Sequence, residues 1–291
     1  MGIDRTVLFR LATSERLERV LKRVPGGEAA AWRPASRYVS GGSREDALTV
    51  AGGLLDAGHG VSIDSFGEQV SDPAVADRVL DDYLELADRV SGLAAGAWLS
   101  LDLSHLAVAA DTQGATERLA AIARALPAGR RLQVGAEEAA LTDTVLGCLL
   151  EVAGEGLADR LGATVQANLR RSPADADALA DAGVHVRLVK GAYVEGAGAH
   201  RYGEATDVAF LQLGFRLAER GAAWSPATHD ARLREALLLA HGPLCVEQLL
   251  GVRPEALAEL RARGIPTRVY VPYGDDWFRY WLRRVAESRG A

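Results

Sequence analysis

The sequence predicts an α/β protein: a (β/α)8 TIM-like barrel with an N-terminal helical extension and a C-terminal helix that carries Arg283 and Arg284. Eight short apolar runs alternate with amphipathic stretches, and eight alternating strand and helix units form a parallel sheet that closes into a barrel. Polar side chains also collect just after these runs, at the strand ends where this fold holds its sites. A doubly wound open sheet is the alternative, although no GxGxxG motif follows any of the strands.

Residues 1–45 are predicted to form the extension, and residues 46–291 the barrel. A helix is expected over 7–24, because apolar residues recur there at helical spacing. These are Leu8, Leu11, Leu17, Val20, Leu21 and Val24. A connection rich in Pro, Gly and Arg follows, with glycine pairs at 26–27 and 41–42. Ser43 with Asp46 then resembles the capping sequence of a helix start.

The eight predicted strands are short runs of apolar and β-branched residues. They lie at 60–63, 98–101, 131–134, 163–166, 184–189, 222–226, 244–246 and 268–271. The helices between them show apolar residues at helical spacing. The clearest set is Val75, Val79, Tyr83, Leu86 and Val90. Another helix is predicted over 254–264, where Pro254 opens it and Gly264 closes it, as capping favours.

Polar residues stand at the carboxyl end of every predicted strand. In chain order they are Asp64 and Glu68, Asp102 and Ser104, Glu137 and Glu138, Gln166 and Asn168, Arg187 and Lys190, Thr228 with His229 and Asp230, Glu247 and Gln248, and Tyr270 and Tyr273. The opposite strand ends carry mostly Gly, Ala and turn residues, so the pattern predicts an active site at one barrel mouth. As a second interpretation, Asp64, Glu137 and Glu247 cap the helices that follow, and Tyr270 only packs.

The fifth strand places a cation inside a buried run. Arg187 needs an anionic or hydrogen-bonding partner there to offset the loss of its hydration. Lys190 and Gly191 then leave the strand at a point where the backbone can approach another group closely. The run indicates either an internal ion pair or a ligand site.

The C-terminal helix, expected over 277–287, brings Tyr280, Arg283, Arg284 and Glu287 partly onto one face. Two adjacent arginines can hold a carboxylate by paired hydrogen bonds, which a lysine does not reproduce. Several aromatic residues beside the arginines favour this interpretation. The alternative is an exposed helix with ordinary pairs at i,i+4 spacing.

The composition excludes several classes of protein. The 291 residues are 48% hydrophobic and 25% charged, and the longest apolar runs are shorter than a membrane helix requires. The net charge of -6, with scattered Lys and Arg, argues against nucleic-acid binding. Cys148 and Cys245 lack metal-ligand spacing, so neither a metal site nor a disulfide framework is predicted. The N-terminus lacks a signal-peptide pattern, and a cytoplasmic protein is expected.

Five segments together carry a family resemblance. They are 61–68, 165–169, 187–193, 227–229 and 270–274, the last followed by Tyr280, Arg283, Arg284 and Glu287. In this order the sequence resembles the flavin-dependent proline dehydrogenases and the corresponding domain of bifunctional proline-utilisation proteins. The resemblance implies a distorted (β/α)8 barrel that binds FAD across its strand ends. It also implies an oxidoreductase acting on CH–NH groups, which oxidises L-proline to Δ1-pyrroline-5-carboxylate and passes electrons to a quinone or oxygen. A quinone acceptor would bring peripheral contact with the inner membrane.

The resemblance also implies a role for each matching residue. For the cofactor these are Ala136, Gln166 at the pyrimidine edge, Arg187 near the reactive part of the isoalloxazine, Lys190, Gly191 and Ala192 at the pyrophosphate, and Thr228 and His229. For the substrate they are Arg283 and Arg284 on the carboxylate, with Tyr270 and Tyr280 against the ring. Arg187 and Tyr270 are the residues expected to act in catalysis.

Two positions of the expected substrate pocket depart from the family pattern. Asp102 stands where members usually carry Lys, and Gly135 where they usually carry Asp; Val194 replaces the usual aromatic residue near the adenine. Loss of the carboxylate at 135 is expected to open space. One hypothesis is a changed substrate, an amine or imino acid whose extra positive or hydrogen-donating group pairs with Asp102. In another, Asp102 pairs with Arg283 or Arg284. A third is a non-catalytic barrel that binds flavin or another metabolite.

Overall fold

The computed structural model of the chain describes residues 27–67, 69–191, 193 and 195–288. The helix predicted over 7–24 lies outside these ranges, as do Glu68, Ala192 and Val194. Within them, no helix combines the length and the apolar content that crossing a membrane requires.

Eight parallel strands form the barrel wall. They are β1 (Gly60–Ser65), β2 (Ala97–Leu101), β3 (Leu132–Val134), β4 (Leu161–Gln166), β5 (His185–Val189), β6 (Trp224–Pro226), β7 (Val246–Leu249) and β8 (Thr267–Tyr273). Strands β1 to β6 pair in chain order, β7 pairs with β8, and β1 also pairs with β8. A single bridge between Ala227 and Glu247 joins the β6 end to β7 and completes the ring. The predicted barrel is confirmed, and the open sheet is wrong.

Helices cover the outside of the strands. They are α1 (Gly27–Ala35), α2 (Arg44–Asp56), α3 (Pro73–Ser91), α4 (Thr112–Ala125), α5 (Thr142–Val152), α6 (Ser172–Asp181), α7 (Glu204–Glu219), α8 (Ala231–His241), α9 (Pro254–Ala262) and α10 (Trp277–Ser288). The predicted cap at Ser43 is confirmed, because its side chain and that of Asp46 exchange hydrogen bonds with each other's backbone N–H.

Helix α3 shows how the apolar spacing becomes packing. Asp72 caps its first turn and a proline opens it. Its predicted stripe, including Val79, Leu86 and Val90, is buried against the barrel wall. Tyr83 belongs to the same stripe, and its hydroxyl reaches through the wall to donate to Ser100 O over 2.8 Å. The helix therefore contributes a polar group to the barrel mouth as well as apolar surface.

Two elements differ from the sequence prediction. The seventh strand begins at Val246, two residues later than expected, because a turn after Gly242 (φ 81°) delays pairing until the Val246 N–H bonds Pro266 O. The glycine-rich connection contains α1, with Pro34 in its last turn. Apolar packing holds α1, because Trp32 meets Trp277 of α10 with ring centres 5.1 Å apart. The extension thus contacts the C-terminal helix.

The N-terminal end of the barrel is filled by stacked side chains. Trp98 lies between two arginines, with the Arg268 guanidinium 3.4 Å and the Arg131 guanidinium 5.0 Å from its ring centre. Arg268 also donates to the carbonyl oxygens of Val61 and Gly96. Cation–π contacts and hydrogen bonds together compensate these cations. The opposite, C-terminal mouth is left as the place for a site.

Candidate functional site

Arg187 occupies the centre of the barrel mouth in a buried ion pair. Its Nε donates to Glu247 Oε2 over 2.7 Å, and its guanidinium also reaches Ser62 Oγ at 3.3 Å. The Ser225 hydroxyl donates to the other oxygen of Glu247. Although burial by itself raises the pKa of Glu247, the charges of Arg187 and Arg268 hold it below its ordinary value. The predicted internal ion pair is confirmed, and the interpretation of Glu247 as a helix cap is wrong.

Several buried polar atoms at the ends of β4 to β7 lack a hydrogen-bond partner among the described residues. Gln166 donates from Nε2 to Glu137 O over 2.8 Å, but its Oε1 is unpaired there. His229 accepts from the Leu249 N–H, while its Nδ1 has no partner in the same ranges. Both polar atoms of the Gln248 amide, and Oδ1 of Asn168, also lack a partner among the described residues. Each such group costs about 1–3 kcal/mol when buried, so this part of the mouth fits a polar ligand that would pair with them.

The turn after β5 has room only for glycine. Gly191 has a φ of +107°, and a Cβ atom built there would lie 2.1 Å from Asn168 Oδ1. Beside it, the Lys190 ammonium pairs with Asp207 and lies 4.0 Å from Asp230. Thr228 accepts from the Asp230 N–H over 3.1 Å. Of the residues expected at the pyrophosphate, the described ones, Lys190 and Gly191, therefore lie close to Thr228, and Lys190 already has a carboxylate beside it.

Tyr270, Tyr280 and Arg284 form one aromatic and cationic wall. The two tyrosine rings lie 6.2 Å apart, and the Arg284 guanidinium is 4.8 Å from the Tyr280 ring centre. Phe66 contacts the outer face of this group, 5.1 Å from Tyr280. Arg284 is 9% exposed, so the alternative of an exposed helix is wrong for this residue. The side chains of Arg283 and Glu287 lie outside the described part of the chain.

Asp64 is a buried carboxyl group inside the mouth. Burial raises its pKa to about 7, against the opposing effect of the nearby Ser100, Tyr270 and Tyr83 hydroxyls and of the Arg187 charge. Because these groups all lie inside the barrel, the interpretation of Asp64 as a helix cap is wrong. The hydroxyl of Tyr270 beside this carboxyl group also means that the tyrosine does more than pack.

Asp102 lies directly over Gly135. A Cβ atom built on Gly135 would be 1.7 Å from Asp102 Oδ1. The expectation that glycine opens space at 135 is therefore wrong, because the Asp102 carboxylate fills that space from the neighbouring strand. Nearby, Glu137 accepts from the Ser104 N–H over 2.8 Å, so it bonds the turn after β2 rather than the start of its own helix.

The sequence does not indicate the roles of some residues of the site. Asn168 and Gln248 stand at predicted strand ends without an assigned role, and Glu247 has only the helix-cap interpretation. The sequence predicts Tyr83 as part of the apolar core. Its hydroxyl, within an otherwise apolar stripe, is the feature that could have indicated a buried hydrogen bond. Tyr193 donates to Ala136 O over 3.2 Å, which places the chain after β5 against the end of β3. Among the described residues, no group of three or more His, Cys, Asp or Glu is arranged to hold a metal ion.

The polar mouth fits the flavin that the resemblance implies. An isoalloxazine edge offers both donors and acceptors, which the unpaired atoms of Gln166, Gln248 and His229 require. The close approach at Gly191 suits a ligand lying against the backbone. These residues would hold the cofactor.

Comparison with known proteins gives a consistent result. A model of the family described as proline dehydrogenase matches residues 47–291. The proline dehydrogenase of Deinococcus radiodurans is 31% identical over 270 residues, which cover 88% of this chain and 87% of that protein. Proline dehydrogenase 1 of Bacillus subtilis strain 168 is 30% identical over 265 residues, covering 87% of this chain and 86% of the relative.

Solved structures of proline utilization A are similar to the chain as well. The protein from Bradyrhizobium japonicum is 26% identical with a TM-score of 0.75, covering 94% of this chain and 33% of its own. The protein from Bdellovibrio bacteriovorus is 20% identical with a TM-score of 0.80, covering 97% of this chain and 36% of its own, and supports the fold alone. The chain spans about a third of the length of these larger proteins.

Proposed function

The chain belongs to the proline dehydrogenase family, and from that premise we propose that it oxidises L-proline to Δ1-pyrroline-5-carboxylate with FAD held across the C-terminal mouth of its barrel. The observation that carries the cofactor assignment is the set of buried atoms without described partners at Gln166, His229 and Gln248, at the ends of β4, β6 and β7. A protein gains stability when a ligand pairs such atoms, and a flavin has the matching donors and acceptors.

In the proposed site, each part of the mouth has a separate task. When bound, FAD supplies the two-electron oxidant. Arg284, together with Arg283, holds the substrate carboxylate, and Tyr270 and Tyr280 wall the pyrrolidine ring. The Asp64 carboxyl group, which lies near the Tyr270 hydroxyl, would orient that hydroxyl in the occupied site. Holding the ring between fixed groups replaces random encounters by one reactive orientation.

The amine of the substrate has to lose its proton before a C–H bond next to it can be oxidised. Asp64 has a pKa of about 7, so near neutral pH it can either hold or accept a proton beside Tyr270. Arg187 supports negative charge at the centre of the mouth, while Glu247 limits how much net positive charge it presents. These assignments make Arg187 and Tyr270 the proposed catalytic residues.

We propose the same division of the chain as the sequence indicates, with residues 1–45 as an extension and 46–291 as the catalytic barrel. The family match over 47–291 supports a catalytic barrel that begins near residue 46. For reoxidation we propose a quinone or oxygen as acceptor. Cytoplasmic location, with peripheral contact at the inner membrane if a quinone is used, stays a prediction.

The proposal is tested by spectroscopy of the purified protein. We expect a yellow protein whose flavin absorbance is bleached by L-proline in the absence of oxygen. A yellow protein that no cyclic amine bleaches would support the non-catalytic barrel instead. A colourless protein that cannot take up added FAD would overturn the flavin assignment. D-Proline is the matched control ligand, because it presents the same groups with the opposite handedness.

A further inference from the structure

The carboxyl groups of the mouth and its cations come from different elements. Asp64, Asp102 and Glu137 stand at the ends of β1, β2 and β3, and the described residues between each of these strands and its next helix include no Lys or Arg. Cations of the mouth such as Arg187 and Arg284 come instead from β5 and α10. The ends of β1 to β3 therefore form an acidic wall.

Residues 102 and 135 act as one structural unit in this wall. β2 and β3 pair with Leu101 opposite Val134, and the Gly135 N–H donates to Leu101 O over 2.9 Å. With the strands fixed in this way, the Asp102 carboxylate occupies the volume of any side chain at 135, since a Cβ atom there would lie 1.7 Å from it. The carboxylate can hold its position only while residue 135 is glycine.

Asp102 shares its space with the tyrosines of the proposed substrate pocket. Burial raises the pKa of Tyr270 well above its ordinary value, and the charges of Asp64 and Asp102 add to this rise. Burial also raises the pKa of Tyr83, again with contributions from both carboxyl groups. The strand register agrees, because Ser62 pairs with Tyr270 and Asp64 with Ser100, and Asp102 follows Ser100 at the two-residue spacing that keeps side chains on one face of a strand.

A substrate beside Tyr270 experiences this negative charge. A carboxylate on the substrate is repelled by it, whereas a carboxamide carries no charge and offers two N–H donors. Asp102 disfavours binding of a substrate carboxylate in either case, whether it acts on the substrate directly or offsets the charge of a neighbouring arginine. Arg284 still attracts a carboxylate, so proline remains a substrate and only the relative preference changes.

Resting on the proposed function, we propose that Asp102, seated over Gly135, gives this site a preference for cyclic secondary amines that carry a neutral, hydrogen-donating group in place of the carboxylate. L-Prolinamide is the simplest probe of this class. It keeps the pyrrolidine ring and the amine of proline and differs only in the group that Asp102 distinguishes.

The test measures kcat/KM of the holoenzyme for L-prolinamide and L-proline with one artificial electron acceptor. We expect the prolinamide to proline ratio to exceed one in the wild type. In Asp102→Asn, which keeps the shape over Gly135 but removes the charge, we expect the ratio to fall about tenfold. Asp81→Asn, an exposed carboxylate of α3, is the matched control and should leave the ratio unchanged. A wild-type ratio below one, or an equal ratio in Asp102→Asn, overturns the proposal.

A second variant keeps the test valid if Asp102→Asn loses flavin. Gly135→Ala displaces the carboxylate without changing any charge, and it should also lower the ratio; an unchanged ratio counts against the proposal.

Failure of the proposed function gives a different result. In that case neither amine bleaches the flavin, whereas bleaching by proline with equal ratios in all variants overturns only the specificity.

Discussion

The ends of β4 to β7 present amides and an imidazole whose buried atoms lack described partners, whereas the ends of β1 to β3 present the carboxyl groups of Asp64, Asp102 and Glu137. The first region, which we call the β4–β7 half, has amide and imidazole groups whose hydrogen bonds a ligand can complete. The second, the β1–β3 half, sets the local charge, and the Ser100 and Ser104 hydroxyls there also lack described partners. A single mouth thus combines a part that a ligand can stabilise with a part whose stability depends on pH.

The largest effect is expected at the Arg187–Glu247 pair, whose charged groups are paired with each other, unlike the unpaired amides elsewhere in the β4–β7 half. Glu247→Ala leaves a buried guanidinium without its anion, which should lower the free energy of unfolding by about 3–5 kcal/mol. Urea unfolding measures this loss. The double variant Arg187→Met with Glu247→Leu should recover part of it, because neither charge is then buried. If the double variant is as unstable as the sum of the two single changes, the pair is not coupled.

In the β1–β3 half, Asp64 should make stability fall as pH rises. Its pKa is raised from 3.8 to about 7, so the folded state binds a proton that the unfolded state has released. The stability that the protonated form contributes is full below pH 3.8 and is lost as pH rises toward 7. One proton corresponds to a slope of at most about 1.4 kcal/mol per pH unit.

The check is thermal unfolding over this pH range for the wild type and Asp64→Asn. The asparagine variant should lose this component of the slope while other groups still titrate. Asp81→Asn serves as the exposed comparison and should follow the wild type. Identical slopes in all three proteins would show that Asp64 titrates normally.

Gln248→Leu tests the β4–β7 half directly. Removing an amide without described partners should leave the apoprotein as stable or stabilise it by about 1 kcal/mol, while FAD affinity falls about tenfold. Apoprotein unfolding and flavin fluorescence titration measure the two quantities. A variant that loses apoprotein stability and keeps its FAD affinity would place Gln248 in the scaffold.

The smallest effect is expected for Tyr83→Phe in the β1–β3 half. The hydroxyl accepts from the Ser65 N–H and donates to Ser100 O, so its loss should cost about 1 kcal/mol in unfolding free energy. FAD affinity should not change, because the hydroxyl belongs to the scaffold. A fall in FAD affinity comparable to that of Gln248→Leu would remove the distinction between the two halves.

Periodicity predicts most of this fold, because burial of apolar residues is a local pattern with a fixed repeat. It locates the eight strands within about three residues and most of the apolar stripe of α3, of which Val75 is only half-buried. It fails at α1, where packing against Trp277 overrides the breaking tendency of the glycines and Pro34, and at the start of β7, where a turn delays pairing.

The site is predictable as a set of residue types at strand ends, but contacts between strands are not. Nothing in the order of residues indicates that the Glu247 side chain meets Arg187, because the two are far apart in sequence and the strand boundary decides which way Glu247 points. The position of Asp102 over Gly135 depends on the register of two neighbouring strands. Such contacts follow only from the three-dimensional arrangement of the strands.

The contact between α1 and α10 extends the reach of the site beyond the barrel. Trp32 braces the helix that bears Arg284, and the N–H of Ser40 is tied to Pro272 O over 2.9 Å, just before that helix. Under the role proposed for Arg284, loss of the contact between Trp32 and Trp277 would weaken binding of the substrate carboxylate without removing any of the groups proposed to hold the flavin. Affinity for the substrate would then depend on a helix contact that lies outside the barrel mouth.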